Sequence, residues 1–109
     1  MDAEKAHNTT MKFAKVANGS PILQSVARLL YDYQDESLSQ NLWGLSFRNP
    51  VGLAAGFDKN GEVARLMEAI GMGFVELGSI TANPSTGNPK PRAFRLPDDE
   101  SLSANRCLR

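Results

Sequence analysis

The sequence predicts an α/β protein in which two amphipathic helices precede a strand–helix–strand unit with parallel strands. Three observations carry this. Apolar residues recur at helical spacing through residues 3–17 and again through 20–33. Two short runs of small and apolar residues, at 49–57 and 73–80, flank a third helical pattern, and a helical crossover this short returns the chain to lay the second strand parallel to the first. Asn and Gly punctuate the joints, at Asn18-Gly19, Asn60-Gly61 and Gly71, where helices are expected to start or stop.

The first helix sets Ala3, Ala6, His7, Thr10, Met11, Ala14 and Ala17 on one face and Lys5, Asn8, Lys12 and Lys15 on the other. Ser20-Pro21 opens the second helix, a capping hydroxyl followed by a proline where its missing N–H costs nothing. That helix carries a broad apolar stripe of Ile22, Leu23, Val26, Ala27, Leu29, Leu30 and Tyr33. Two helices this short cannot bury both stripes on each other, so the following domain, a partner or lipid must cover the remainder. Residues 34–40 are polar and acidic and read as a linker, and residues 42–47 read as one strand. Val63, Leu66, Met67 and Ile70 keep helical spacing up to Gly71, and residues 73–80 form the next strand. Between 81 and 97, Pro84, Pro89, Pro91 and Pro97 stand among Lys90, Arg92 and Arg95, which predicts a long ordered loop with a hairpin at 93–96. Asp98-Asp99-Glu100 reads as a solvated turn.

A chain of 109 residues suffices for one small domain. Twelve basic residues balance twelve acidic ones, so charge gives no pointer to nucleic acid. Cys107 is the sole cysteine, which excludes an internal disulfide and a cysteine-based zinc cluster, and His7 is the sole histidine, which leaves no pair for a catalytic zinc. No metal is expected. No apolar run approaches a membrane span, and the first residues do not form a signal peptide, so an intracellular protein is expected.

Residues 49–62 are the centre of interest. Pro50 disfavours helix at Asn49, and Gly52, Ala54, Ala55 and Gly56 leave so little bulk that a flat ligand could approach the backbone. The charged pair Asp58-Lys59 follows at the corner before the third helix, which is the anatomy of a βα loop carrying a site. The same small residues also suit a buried parallel strand, and the segment alone does not choose. Residues 56–61 lack the Gly-Lys-Ser/Thr ending of a phosphate-binding P-loop. Asp58, Asn60 and Glu62 imitate half of a calcium loop, but Val63 stands where such a loop needs glycine.

Residues 49–62, Asn-Pro-Val-Gly-Leu-Ala-Ala-Gly-Phe-Asp-Lys-Asn-Gly-Glu, resemble the first barrel strand and loop of the dihydroorotate dehydrogenases. Residues 74–81, Phe-Val-Glu-Leu-Gly-Ser-Ile-Thr, resemble that family's second strand, and residues 87–97, Gly-Asn-Pro-Lys-Pro-Arg-Ala-Phe-Arg-Leu-Pro, its following loop and hairpin. The N-terminal helix pair, with Glu4-Lys5-Ala6-His7, is similar to the extension of the membrane-associated, quinone-using class.

The resemblance implies the first two strands of a (β/α)₈ barrel, residues 41–109, preceded by an amphipathic helical extension, residues 1–40, on the membrane and quinone side. It implies FMN as cofactor, dihydroorotate and orotate as substrate and product, a quinone as electron acceptor, and peripheral attachment to the cytoplasmic face of a membrane. Ala55, Gly56, Phe57, Asp58, Lys59 and Ser79 are then expected to line the flavin, with Lys59 also reaching the substrate. A lysine among small residues suits an electron-rich flavin edge or a carboxylate. His7 and Arg95 match positions on the quinone side. Asn105 and Arg106 match a substrate-binding pair, but Leu108-Arg109 departs from the family's pattern there. A complete barrel takes roughly 250 residues, so the chain is expected to be a truncated or frameshifted piece, inactive alone and without the catalytic base, which in this class is a serine. The competing expectation is a non-catalytic helical module, binding a membrane or a partner, with a vestigial βαβ tail.

Overall fold

The computed structural model describes residues 2–84 and 86–104. Helix α1 spans Ala3–Gly19 and α2 spans Pro21–Tyr31. Asp2 caps α1, its carboxylate accepting from the Lys5 amide at 2.9 Å. Ser20 caps α2 from its hydroxyl, with Pro21 in the first turn, as its sequence requires. The buried face of α1 holds Met11 and Ala14, as the periodicity predicts, but Thr10 is exposed and the acid Glu4 is buried.

The polar linker is tightened by a short 3-10 turn at Glu36–Leu38. Asp35 caps it: the Ser37 hydroxyl and amide both donate to its carboxylate and hold that carboxyl below its ordinary range. The next segment corrects the sequence reading. Residues 42–47 are not one strand but the end of a hairpin, β1 (Gln40–Leu42) against β2 (Leu45–Phe47), antiparallel with Leu42 opposite Leu45. Trp43 and Gly44 both take positive φ, 53° and 78°, which is the two-residue turn whose twist matches a hairpin.

Strand β3 (Gly52–Leu53) pairs in parallel with β4 (Phe74–Val75), as expected, although both are much shorter than the apolar runs that announced them. The Phe74 ring lies against Gly52, where an added Cβ would come within 2.3 Å of it, so the pairing needs glycine there. Between them runs α3 (Ala64–Ala69). Its N-cap residue, Val63, offers no side-chain acceptor. Asp58 accepts from the Glu62 and Val63 amides at 2.9 and 2.8 Å, and Asn18, from the end of α1, accepts from the Leu66 amide at 2.9 Å. The opposite end is closed in the same way. Arg48 donates to the Glu68 and Met72 carbonyls and Asn49 to the Gly71 carbonyl, while Arg48 also lies 3.3 Å from the nearly buried Asp32 carboxylate that follows α2. A final hairpin pairs β5 (Ala93–Leu96) with β6 (Ser101–Ala104) around the acidic turn.

The core joins Met11 and Ala14 of α1 to Val63 and Met67 at α3, with Leu53, Phe57 and Val75 packed around them. The extension therefore has its apolar face on the βαβ unit rather than standing free. α2 is different: Ile22 and Leu29 remain 75% and 86% exposed. The described strands form three separate two-stranded sheets.

Candidate functional site

The loop after β3 turns at once, with the Phe57 amide donating to the Ala54 carbonyl, and then presents two adjacent charges in opposite directions. Asp58 is fully buried and committed to closing α3. Lys59 instead lines an open cleft of about 710 Å³ with Asn60, Ser79, Ile80, Thr81, Ala82, Pro84 and Thr86. The cleft lies beyond the C-terminal ends of β3 and β4, where the two chains converge. An added Cβ at Gly78 would sit 3.1 Å from Lys59 Cα, so the backbones pass close enough to put Lys59 beside Ser79.

A second cleft, of about 390 Å³, opens on the other side of the same loop. His7, Met11, Lys12 and Lys15 of α1 form one wall and Phe57 and Glu62 the other, while Lys59 and Asn60 border both clefts. Lys15 and Glu62 pair across it at 2.7 Å. His7 packs edge-on against Phe57, ring centres 5.5 Å apart. His7, expected on the quinone side and fifty residues from Phe57 in the sequence, touches the strand-end loop directly.

The expected flavin-lining set divides accordingly. Lys59 and Ser79 share the larger cleft, and Phe57 lines the smaller one. Gly56 is exposed, and a Cβ there would meet nothing within 4 Å, which leaves open space in front of it; Ala55 is half-buried, and neither borders the larger cleft. The Asp58 side chain does not face a ligand surface, because its two oxygens accept the Glu62 and Val63 amides at the entrance to α3. Arg95 is exposed on β5 opposite Leu102 and borders neither cleft. Asn105 and Arg106 lie outside the described residues. Among the described residues no helix is long and apolar enough to cross a membrane.

Sequence reasoning missed the cluster of Glu4, Lys90 and Arg92, in which both cations approach the buried Glu4 carboxylate. The available signal was an acid on the apolar side of α1 together with a proline-rich loop carrying an excess of basic residues.

A family model described as dihydroorotate dehydrogenase matches residues 37–107. The chain is 47% identical over 102 residues to the dihydroorotate dehydrogenase (quinone) of Vibrio parahaemolyticus, covering 94% of this chain and 29% of that protein. It is 54% identical over 77 residues to the protein of the same name from Synechococcus elongatus, covering 71% of this chain and 20% of that one. Among solved structures, it is similar to the DHODH of Eimeria tenella in complex with ferulenol, with a TM-score of 0.79 and 43% identity, covering 98% of this chain and 26% of that one. The chain therefore spans between a fifth and a third of the length of these relatives.

Proposed function

The chain belongs to the dihydroorotate dehydrogenase family, and from that premise we propose that it serves a quinone-dependent enzyme that oxidises dihydroorotate to orotate in pyrimidine synthesis. In this reading residues 41–109 begin a (β/α)₈ barrel and residues 1–40 form a helical extension toward a membrane and the quinone. The observation that carries it is the convergence of Lys59 and Ser79 in one open cleft beyond the C-terminal ends of two parallel strands, the place where barrel enzymes hold their sites.

The residues present suit FMN. A flat ring needs room without side chains, and Gly56, on the same loop as Lys59 though outside the lining of the larger cleft, leaves open space in front of it. A lysine ammonium and a serine hydroxyl in the cleft supply hydrogen-bond donors for an electron-rich ring edge. FMN, when bound, would provide the two-electron chemistry between substrate and quinone. Within that frame Lys59 holds a fixed positive charge where negative charge develops, and orients an anionic substrate. Ser79 positions the ring from the neighbouring strand end, and Asn105 and Arg106 bind the substrate. His7 and Arg95 serve the acceptor side, with the exposed stripe of α2 resting on the membrane surface.

A chimera tests this reading. Residues 1–104 are spliced into the Vibrio parahaemolyticus enzyme in place of the stretch they match. The chimera should couple dihydroorotate oxidation to quinone reduction within about tenfold of the parent. A folded chimera that retains FMN but shows no such activity would overturn the proposal.

A further inference from the structure

Glu4 lies in the first turn of α1 and is only 8% exposed. A carboxylate so far from water persists as an ion only where opposite charge and dipoles compensate it. The helix N-terminus supplies part of that field. The remainder comes from almost ninety residues away: Arg92 Nε stands 3.3 Å and Lys90 Nζ 3.5 Å from Glu4 Oε1. The two cations are not equivalent. The Lys90 side chain is 63% exposed, so water screens its attraction, whereas that of Arg92 is 11% exposed and screened little. The Arg92 approach is an ion pair without hydrogen-bond alignment at Nε, and the guanidinium is held from its other side by donating from Nη1 to the Thr86 carbonyl at 2.9 Å. Glu4 and Arg92 thereby tie the start of α1 to the segment that enters β5, and α1 lies against β5. His7 stands one helical turn beyond Glu4, and Arg95 three residues beyond Arg92 on the strand so anchored.

We propose that Glu4 is a positioning residue, whose buried pairing with Arg92 docks the first turn of α1 on the approach to β5 and fixes where His7 and Arg95 stand relative to each other. The docking follows from the geometry alone. Its consequence for electron delivery rests on the function proposed above, where both residues serve the acceptor.

The test reads placement rather than turnover, so its failure is distinct from failure of the chimera. Nitroxide labels are attached at Thr9→Cys on α1 and Leu102→Cys on β6 in a Cys107→Ser background, and the labelled chain is diluted with unlabelled chain. Pulsed dipolar spectroscopy should give one narrow distance distribution for the parent and for Lys90→Met. Glu4→Gln and Arg92→Gln should each widen it at least twofold, and the double variant should be no wider than either single one, because one contact is lost in all three. An unchanged width in Glu4→Gln, or widening that adds in the double variant, overturns the proposal. If a lone buried charge unfolds the single variants, the double variant, which leaves none, decides: helical circular dichroism with a widened distribution supports docking. A narrow distribution in the double variant, or loss of its helical signal, overturns it.

Discussion

Asp58 and Lys59 are neighbours with opposite commitments, and the pair shows how one backbone turn separates stability from chemistry. The Asp58 carboxylate has no exposure and accepts the amides of Glu62 and of the N-cap residue Val63, fixing the chain as it enters α3. Removing it strands the buried Val63 amide and the half-buried Glu62 amide, so Asp58→Ala should cost roughly 1–3 kcal/mol of stability. Urea unfolding of the 109-residue chain measures this, and an unchanged midpoint would show that the cap holds nothing. Lys59 should behave in reverse: in the chimera Lys59→Ala should lower turnover by about two to three orders of magnitude with the unfolding midpoint unchanged. Full activity would make it an ordinary loop lysine. The sequence displayed both residues and their corner, but which of two adjacent side chains turns inward depends on where α3 needs acceptors, a tertiary matter. His7 teaches the same lesson, since its contact with Phe57 joins residues fifty apart in the chain. Changing His7 or Arg95 to Ala in the chimera should slow quinone-dependent turnover at least severalfold more than single-turnover orotate release. Equal loss in both would remove them from the acceptor side.

At the scale of elements, α2 is where periodicity was read correctly as far as Leu30, although the helix ends at Tyr31 and leaves Tyr33 beyond it, and where the partner of the stripe could not be read. The stripe is there, yet Leu30, like Ile22 and Leu29, stays largely in water, because the buried face of α1 is turned to α3 and the strands instead. Each such side chain loses about 1.5–3 kcal/mol by remaining exposed, enough for several together to drive binding to a lipid surface. The chain should co-sediment with phosphatidylcholine vesicles, and Leu29→Ser with Leu30→Ser should weaken that binding about tenfold or more. Equal sedimentation of the double variant would point to another surface. The hairpin β1–β2 was illegible for a different reason. Its turn uses Trp43 at positive φ, with the indole 90% exposed, and the run Leu-Trp-Gly-Leu looks apolar and continuous in the sequence. Only Gly44 hinted at a turn. The parallel pair was predicted because helical spacing between two apolar runs constrains direction, whereas the lengths of β3 and β4 depend on what pairs with their outer edges.

Taken as a whole, the described residues hold one small core between α1, α3 and β3–β4, and the larger cleft is open to solvent. That bears directly on how the chain would bind the proposed cofactor, FMN. The ligand has two dissimilar ends, a flat ring that takes up electrons and a dianionic phosphate. Among the described residues the larger cleft offers a single cation, Lys59, beside the hydroxyls of Ser79, Thr81 and Thr86. One ammonium cannot serve both ends, and a phosphate left in water adds nothing to affinity beyond weak, screened attraction. Enclosure is also slight, while ligand sites of this size normally bury most of the ligand's surface. The 109-residue chain should therefore bind FMN weakly, with a dissociation constant of about 10 μM or weaker, and lose it on gel filtration. The chimera should retain it in stoichiometric amount, since its other barrel loops would contribute the phosphate contacts. Flavin fluorescence titration of the two proteins side by side measures the difference. Yellow, stoichiometric FMN carried through gel filtration by the 109-residue chain would show that the cleft of Lys59 and Ser79 is a complete site in itself, with the phosphate held by groups that the open cleft does not suggest.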